Sequence, residues 1–414
     1  HEDIVWHDYD ALVAAHPPTE RWGEFPEDTA AGLCFTSGTT SRPKGVLYSH
    51  RSNFLHTLMA LQADMQGLSA RDVILPIVPM FHANAWGLAF SAPAVGAKLV
   101  MPGANLDPAV LAETIELEEV TFTTGVPTVM QGLIDHYRAT RTRPATLKRV
   151  ITGGARCPER MIEEFEDVLG VEVVHAWGMT ELSPIGTMNV PRRTSAWQLP
   201  EERNTLKVRQ GRPPMGVDLR LVGDDGEPVP HDGQTSGHLC VRGWATVARY
   251  YGEHDTALDA HGYFDTGDIA TIDREGFMTI TDRAKDLVKS GGEWISSQEI
   301  ERHALSHSAV AMAAVIGVPH QKWGERPRLI IQRSAGTNVT VDEIKTHLEG
   351  KIAAWWMPDE IVFRDEMPLN ATGKIDKKAL RAELILKEAR KPLKDCQASP
   401  PIRKSRSVPE EASP

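Results

Sequence analysis

Hydroxyl side chains, glycines and two cations crowd into one short stretch near the start of the chain, from Thr36 to Gly45. Short apolar runs, which are typical of strands, stand on both sides, so the stretch is predicted to be a loop between two strands. Glycine lets a backbone approach a ligand closely, and the N–H groups, the hydroxyls, Arg42 and Lys44 together suit phosphate oxygens. The sequence therefore predicts an anion-binding loop, with a plain Ser/Thr/Gly surface turn as the alternative.

This loop differs from the P-loop of nucleotide-binding proteins. Counting from Gly38, the second glycine of that motif would fall at Pro43, and Gly45 follows Lys44 where the motif requires Ser or Thr. A strand is also predicted where the P-loop leads into a helix. The pattern favours phosphate chemistry on a different scaffold.

The elements that would position this chemistry alternate between strand, loop and helix up to about residue 181. Such alternation is typical of an α/β domain with a largely parallel sheet. In these sheets the ligand lies beyond the carboxyl ends of the strands. The predicted strand ends carry Gly125-Val126-Pro127-Thr128, Gly153-Gly154-Ala155 and the run from His175 to Glu181.

The texture of the sequence changes along the chain. Residues 1–30 are polar and irregular, and the opening residue, His1, is not Met, so we expect a fragment that lacks its true N-terminus. Residues 205–281 read as short strands and turns, which indicate a small β-barrel. Residues 282–386 form a compact α+β unit, and residues 387–414 lack apolar periodicity and are predicted to be disordered.

Composition excludes several classes of protein. The 414 residues carry a net charge of −11, which argues against a nucleic-acid or anionic-membrane surface as the main partner. No apolar run approaches the ~20 residues that span a bilayer. The four cysteines contain no C-x-x-C pair that would indicate a zinc site or a disulfide framework. A cytoplasmic protein is the simplest interpretation.

Six motifs, in order, resemble those of the adenylate-forming (AMP-binding) superfamily of acyl-CoA synthetases, luciferases and peptide-synthetase adenylation domains. The likeness runs from about Asp28 to Ile385 and is nearest to bacterial fatty-acyl-CoA ligases of the medium- and long-chain kind and their short-chain relatives. It implies a large AMP-binding domain over residues 1–281, with a parallel α/β sheet and a small β-barrel, incomplete here. It also implies a smaller, hinged α+β domain over residues 282–386.

The resemblance assigns the phosphate loop to ATP. Its β- and γ-phosphates, and then pyrophosphate, would be held by Thr36, Ser37, Gly38, Thr39, Thr40 and Lys44. Ser41 stands where the family usually has Gly. If that position requires a positive φ, Ser would add strain of about 1 kcal/mol.

The resemblance also assigns the rest of the nucleotide. Trp177 would stack on adenine, Thr180 would contact the α-phosphate, and Glu181 would bind Mg²⁺. Asp268 would hold the ribose hydroxyls, with Arg283 touching the ribose. Motif neighbours that complete the nucleotide site are Gly153, Gly154, Ala155, His175, Ala176, Gly178 and Met179.

The remaining assignments concern the acid, CoA and domain motion. Lys285 would be the hinge pivot, and Lys374 would bridge the substrate carboxylate and the α-phosphate. The pantetheine of CoA would pass the motif Gly291, Gly292 and Trp294. The acyl pocket would be formed by His82, the aromatic gate Trp86, and Gly125, Val126 and Pro127.

Three functional interpretations stay open at this point. The first is an ATP-dependent ligase that joins a fatty or related acid to CoA through acyl-AMP, releasing pyrophosphate and AMP, and that forms a homodimer in its full-length form. The second is an acyl-AMP ligase that loads a carrier protein, although the Gly291-Gly292 motif favours free CoA. The third is a non-catalytic remnant, because the family normally has a long stretch before its phosphate loop, without which apolar faces would be exposed.

Overall fold

The computed structural model describes residues 8–16, 23–36, 43–192, 205–291, 293–370 and 373–389. Its first helix, α1, spans Tyr9–Ala15, and the Asp8 carboxylate caps it by accepting the N–H of Ala11. The prediction of an irregular segment over residues 1–30 is therefore wrong at this helix. A capping Asp supplies the hydrogen-bond partner that a helix start otherwise lacks.

Two antiparallel strands form the hairpin that carries the predicted anion loop. Strand β1 spans Ala30–Thr36 and β2 spans Lys44–Ser49, with Thr36 paired to Lys44 at the loop end. The prediction of a loop between two strands is confirmed. Ser49 then caps helix α2, His50–Ala60, by accepting the N–H of Ser52.

Apolar side chains lie exposed on the outer side of this region. They are Leu33, Phe35 and Leu47 on the hairpin and Phe54 and Leu58 on α2.

A six-stranded sheet lies at the centre of the first part of the chain. Its strands are β3 Val73–Pro76, β4 Lys98–Leu99, β5 Phe122–Gly125, β6 Arg149–Gly153, β7 Glu172–Gly178 and β8 Ile185–Met188. The order is β4-β3-β5-β6-β7-β8, and every pairing is parallel except that of β8 with β7. The predicted α/β domain with a largely parallel sheet is confirmed.

Helices connect these strands and cover the sheet. They are α3 Leu88–Val95, α4 Pro108–Leu117, α5 Pro127–Thr140 and α6 Glu159–Glu163, the last continuing as a π-helical turn over Glu164–Val168. Their buried faces meet the sheet through Leu111, Ile115, Met130, Leu133 and Phe165. Each large side chain buried in this way contributes about 1.5–3 kcal/mol to stability.

A four-stranded antiparallel sheet follows. Its strands are β9 Val217–Val222, β10 Gly237–Gly243, β11 Phe264–Ile272 and β12 Met278–Arg283, in the order β12-β11-β10-β9. Between residues 205 and 283 no strand pairing joins β9 to β12, so the predicted small β-barrel is an open sheet. Val46 and Tyr48 of the β1–β2 hairpin belong to the same buried cluster as Leu221 and Val241, so the hairpin helps to cover the apolar face of this sheet.

A third sheet and three helices form the C-terminal part. The strands are β13 Val288–Ser290, β14 Glu293–Ile295, β15 Val310–His320, β16 Gly324–Arg333 and β17 Glu360–Arg364. The helices are α7 Ser297–Leu305, α8 Val341–Leu348 and α9 Lys377–Ala389. Because α9 is helical as far as Ala389, the predicted disordered tail from residue 387 begins too early, and residues 390–414 lie outside the described residues.

Candidate active site

The carboxyl ends of three neighbouring parallel strands meet at one edge of the central sheet. There β5 ends at Gly125, β6 at Gly153 and β7 at Gly178, so the predicted strand-end residues lie together. A Cβ on Gly153 would stand 2.6 Å from the Ala176 carbonyl oxygen, so the two backbones touch. Gly154 follows with a φ of +76°, which a side chain would strain. Without side chains at Gly153 and Gly154, the neighbouring strand and a ligand can both come close to the backbone of this turn.

His175 lies beside this turn. Its Nδ1 lies 2.8 Å from the Val208 carbonyl oxygen and its Nε2 lies 3.3 Å from that of Ala155. Burial lowers the pKa of His175 to about 4, so the ring is neutral and has a single N–H. The shorter contact assigns that proton to Nδ1, which donates to the Val208 carbonyl. The ring therefore fixes the Val208 backbone, and its Nε2 only lies against the turn.

Trp177 and Asp268 meet across the two sheets. The Trp177 indole Nε1 donates to Asp268 Oδ2 at 3.0 Å, and Arg283 Nε lies 3.2 Å from Asp268 Oδ1. Burial raises the pKa of Asp268, and the Arg283 charge and the indole hydrogen bond oppose that rise. Trp177 is only 8% exposed and its ring packs on Gly186, so it orients the carboxylate and offers little surface to a base in this conformation.

A buried carboxylate follows the end of β7. Glu181 accepts a hydrogen bond from the Tyr250 hydroxyl at 2.7 Å, and its neighbour Thr180 accepts one from the Tyr48 hydroxyl, also at 2.7 Å, through the backbone carbonyl. Lys44 places its ammonium 4.3 Å from the centre of the Tyr250 ring. The cation at the end of the phosphate loop and the predicted metal ligand therefore share one aromatic side chain.

Lys374 reaches this edge from the C-terminal part of the chain. A Cβ on Gly154 would stand 2.8 Å from Lys374 Cε and 3.1 Å from its Nζ, so the lysine lies on the glycine turn. Desolvation lowers the pKa of Lys374 to about 8; the Arg283 charge adds to this, and Asp268 opposes it. The structure thus places Lys374 with Gly154, Asp268 and Arg283.

The segment between β3 and α3 carries the predicted acyl-pocket residues in an unusual backbone. Ala83, Asn84, Ala85 and Trp86 have φ values of 46°, 55°, 50° and 57°, which is a full left-handed turn without a glycine. His82 stands directly before it. Burial, and to a lesser extent the charge of Lys374, lowers the pKa of His82 to about 4, so the imidazole is neutral.

A buried glutamine holds the left-handed turn in place. Gln66 is 1% exposed; its Nε2 donates to the Trp86 carbonyl at 3.0 Å, and its Oε1 accepts the Ser91 hydroxyl at 2.7 Å. Both ends of the amide are therefore satisfied. No sequence motif identifies this residue.

The segment before β13 is tied to α9 by buried charges. Asp282 accepts from the Ser297 N–H at 2.5 Å and from its hydroxyl at 3.1 Å. Lys377 Nζ lies 2.7 Å from a Glu301 carboxylate oxygen and 3.0 Å from the Ser297 hydroxyl. Burial works against the charge of Lys377, but Glu301, Asp286 and Asp282 outweigh it and raise its pKa.

Other predicted site residues lie elsewhere or outside the description. Gly291 donates its N–H to the Trp323 carbonyl, and Trp294 lies under the Lys289 ammonium, so both make contacts within the C-terminal sheet. Lys285 is exposed beside Arg283. The predicted residues Ser37, Gly38, Thr39, Thr40, Ser41 and Gly292 lie outside the described residues.

Comparison with known proteins decides the family. The AMP-binding enzyme family matches residues 5–251, and the AMP-binding enzyme C-terminal domain matches residues 299–374. The chain belongs to the AMP-binding enzyme family. It is an acid–thiol ligase of the AMP-forming kind, which uses ATP, Mg²⁺ and CoA and passes through an acyl-adenylate.

Curated relatives of this family member are CoA ligases. The 3-methylmercaptopropionyl-CoA ligase of Ruegeria lacuscaerulensis is 48% identical over 91% of this chain and 70% of its own length. The medium-chain-fatty-acid–CoA ligase of Ectopseudomonas oleovorans is 48% identical over 90% and 68%. The long-chain-fatty-acid–CoA ligase of Thermus thermophilus is 45% identical over 86% and 66%.

Solved structures agree with the fold. The anthranilate CoA ligase AuaEII in complex with anthranoyl-AMP superposes with a TM-score of 0.81 at 25% identity, over 92% of this chain and 72% of that one. ATP-bound MatB from Rhodopseudomonas palustris superposes with a TM-score of 0.76 at 26% identity, over 87% and 69%. Within the described residues, no helix is both long and apolar enough to cross a membrane.

The residues at the sheet edge suit a magnesium–nucleotide complex. No group of three or more His, Cys, Asp or Glu that could hold a metal exists among the described residues. Mg²⁺ is commonly held by one or two carboxylates together with substrate phosphates, not by an all-protein cage. A single buried carboxylate, Glu181, oriented by Tyr250 beside Lys44, fits that mode.

Proposed function

We propose that this ligase acts on a medium- or long-chain fatty acid or a related short alkanoic acid, with Lys374 as its adenylation lysine. Two relatives that are both 48% identical to this chain are ligases for a sulfur-containing short acid and for medium-chain fatty acids. Both substrate types are therefore included in the proposal. The domain boundary near residue 282 and the pivot at Lys285 are part of the same proposal.

One observation carries the proposal. Lys374 lies on Gly154 while its charge acts on both Asp268 and His82. In the proposed roles these neighbours belong to the adenine turn, the ribose carboxylate and the acid pocket. A lysine at their meeting point is placed where the substrate carboxylate and the α-phosphate would come together.

In the first half-reaction a carboxylate oxygen attacks the α-phosphorus of ATP, and the bond to pyrophosphate breaks. Lys374 neutralises charge on the attacking carboxylate and the α-phosphate, and Lys44 neutralises charge on the leaving pyrophosphate. Glu181 would hold Mg²⁺, which would supply further neutralisation of phosphate charge. Trp177 and Arg283 keep Asp268 oriented for the ribose hydroxyls, so positioning needs no rearrangement at the moment of reaction.

In the second half-reaction the CoA sulfur attacks the acyl carbonyl carbon and the bond to AMP breaks, while the thiol proton leaves to solvent. The C-terminal part turns about Lys285, withdraws Lys374 and brings the Gly291-Gly292 motif forward, a hinge-type change. Neutral His82 and the gate Trp86 stay with the acid. The thiol acceptor is free CoA, with a carrier protein as the alternative acceptor.

The test separates the half-reactions. Pyrophosphate release is measured across a panel of carboxylic acids, followed by transfer to CoA or to a carrier protein. Lys374→Ala should nearly abolish pyrophosphate release, leaving only a small residual rate, yet leave thioesterification of supplied acyl-AMP largely intact. Equal loss of both activities would contradict the proposed lysine role, and transfer to the carrier alone would identify the alternative acceptor.

A second variant tests the acyl gate. Trp86→Ala should change chain-length preference across the panel more than it changes the KM for ATP. An unchanged preference profile would remove Trp86 from the acyl pocket.

A cytoplasmic location and a homodimer complete the proposal. Cys34, Cys157 and Cys240 are free and buried, which suits a reducing compartment. Sedimentation of the purified protein tests the homodimer, and cell fractionation tests the location.

A further inference from the structure

The loop that carries Lys374 is shaped by its own hydrogen bonds. The Gly373 N–H donates to the Asn370 carbonyl at 2.9 Å, and the Lys374 N–H donates to the Asn370 side-chain oxygen at 3.1 Å. These bonds hold the backbone at Gly373 and Lys374 close to Asn370 within the C-terminal part. They do not fix where that backbone lies against the central sheet.

A contact from the central sheet supplies that position. Thr128 lies in the first turn of α5, and its hydroxyl donates to the Gly373 carbonyl at 3.0 Å, across 245 residues of sequence. Val126 lies beside it: a Cβ on Gly373 would stand 3.1 Å from Val126 Cγ2, and one on Gly154 would stand 3.7 Å from Val126 Cγ1. The Gly373 backbone, next to Lys374, is therefore hydrogen-bonded to the Thr128 hydroxyl and packed against Val126, which also borders Gly154.

We propose that Thr128 is a positioning residue for the first half-reaction, because its hydroxyl holds the Gly373 carbonyl and so places Lys374 on Gly154. This rests on the proposed role of Lys374 and on its withdrawal before thioester formation. The hydrogen bond exists only while the lysine loop is docked. It therefore stabilises one arrangement of the two parts and not the other, which is how a contact shifts a conformational equilibrium.

The size of the effect follows from the kind of bond. A hydrogen bond between uncharged partners contributes a factor of about 2 to 10 to an equilibrium constant. Thr128→Val keeps the side-chain shape and removes the donor. We expect pyrophosphate release to slow about two- to tenfold, with thioesterification of supplied acyl-AMP unchanged.

Two control variants separate positioning from folding. Thr128→Ser keeps a hydroxyl and should restore pyrophosphate release to near the parent rate. Thr140→Val makes the same substitution at the other end of α5, where the hydroxyl bonds to the His136 carbonyl of its own helix at 2.9 Å, and should change neither half-reaction. Slowing of both half-reactions by Thr128→Val to the same extent would indicate a general structural role and overturn the inference.

A double variant tests whether Thr128 acts through Lys374. If it does, Thr128→Val should lower residual pyrophosphate release in the Lys374→Ala background by much less than in the parent protein. An equal decrease in both backgrounds would overturn the inference while leaving the role of Lys374 intact. Normal pyrophosphate release by Lys374→Ala alone would instead refute the proposed function.

Discussion

Gln66 provides a sharp test of how the acyl-pocket backbone is maintained. The left-handed turn over Ala83–Trp86 contains no glycine, and each such residue costs roughly 1–2 kcal/mol relative to a right-handed conformation. Across the turn the strain is therefore on the order of 4–8 kcal/mol. Something in the surrounding structure must offset it, and the Gln66 amide contacts the turn directly at the Trp86 carbonyl.

Replacing Gln66 with Met keeps the length of the side chain and removes both hydrogen bonds. The Trp86 carbonyl and the fully buried Ser91 hydroxyl would then lose their partner, at about 1–3 kcal/mol each. We expect the free energy of unfolding in urea to fall by about 2–6 kcal/mol. Relaxation of the turn should also move Trp86 and alter the chain-length preference in the pyrophosphate assay.

Gln62, four residues before Gln66, offers a matched control. Its amide also makes two bonds to one backbone, donating to the Met215 carbonyl and accepting the Met215 N–H, both at 3.2 Å, at a solvent-exposed place. Water can replace these bonds, so Gln62→Met should cost only about 0.5–1 kcal/mol and leave chain preference unchanged. If Gln66→Met costs no more than Gln62→Met and the preference profile is the same, the strained turn does not depend on Gln66.

Three further predictions follow from the site. Because the pKa of Lys374 is lowered from 10.5 to about 8, kcat/KM for pyrophosphate release should fall above about pH 8 as the lysine loses its charge, and Lys374→Arg should remove this decrease. The free energy of unfolding should rise between about pH 8 and pH 10.5, because the unfolded chain binds more protons than the folded one in that range. Tyr250→Phe removes the hydrogen bond that orients Glu181 and should raise the Mg²⁺ concentration needed for half-maximal activity about tenfold. The neighbouring Tyr251 is 62% exposed, so Tyr251→Phe should leave that concentration unchanged and serves as the control. Gly153→Ala should lower stability by about 1–3 kcal/mol in a urea melt, because its Cβ would meet the Ala176 carbonyl, whereas Gly32→Ala has open space; equal stabilities would contradict the close strand contact.

The sequence was sufficient for much of the fold because its signals are local. Alternating strands and helices predicted the parallel sheet, and a strand end at Gly153 needs only its neighbours to be recognised. The small β-barrel was predicted as incomplete, and its four strands form an open sheet. What covers the face of that sheet could not be predicted locally. Tyr48, from a hairpin far earlier in the chain, packs there.

The candidate site was predicted unevenly for the same reason. Motif residues such as Lys374 and Asp268 were named from sequence, and the structure places them together. The hydrogen-bond partners of Glu181 and Gly373 were not predicted, because Tyr250 stands 69 residues from Glu181 and Thr128 stands 245 from Gly373. Neither pair leaves a periodic pattern. A half-buried tyrosine and a helix-start threonine look ordinary until the fold supplies their partners.

The ionic connection between α9 and the segment at Asp282 has a mechanical consequence. Rotation at a hinge moves a distant residue in full only if the structure between them is rigid. Lys374 is separated from the start of α9 by only two residues, so the two should move together. Lys377, three residues after Lys374, forms an ion pair with Glu301 and a hydrogen bond to the Ser297 hydroxyl. That hydroxyl in turn donates to the Asp282 carboxylate. The lysine loop and the chain at the proposed pivot therefore behave as one lever. Since its internal charges are shielded from dissolved ions, the stiffness of that lever should persist at salt concentrations that loosen surface ion pairs.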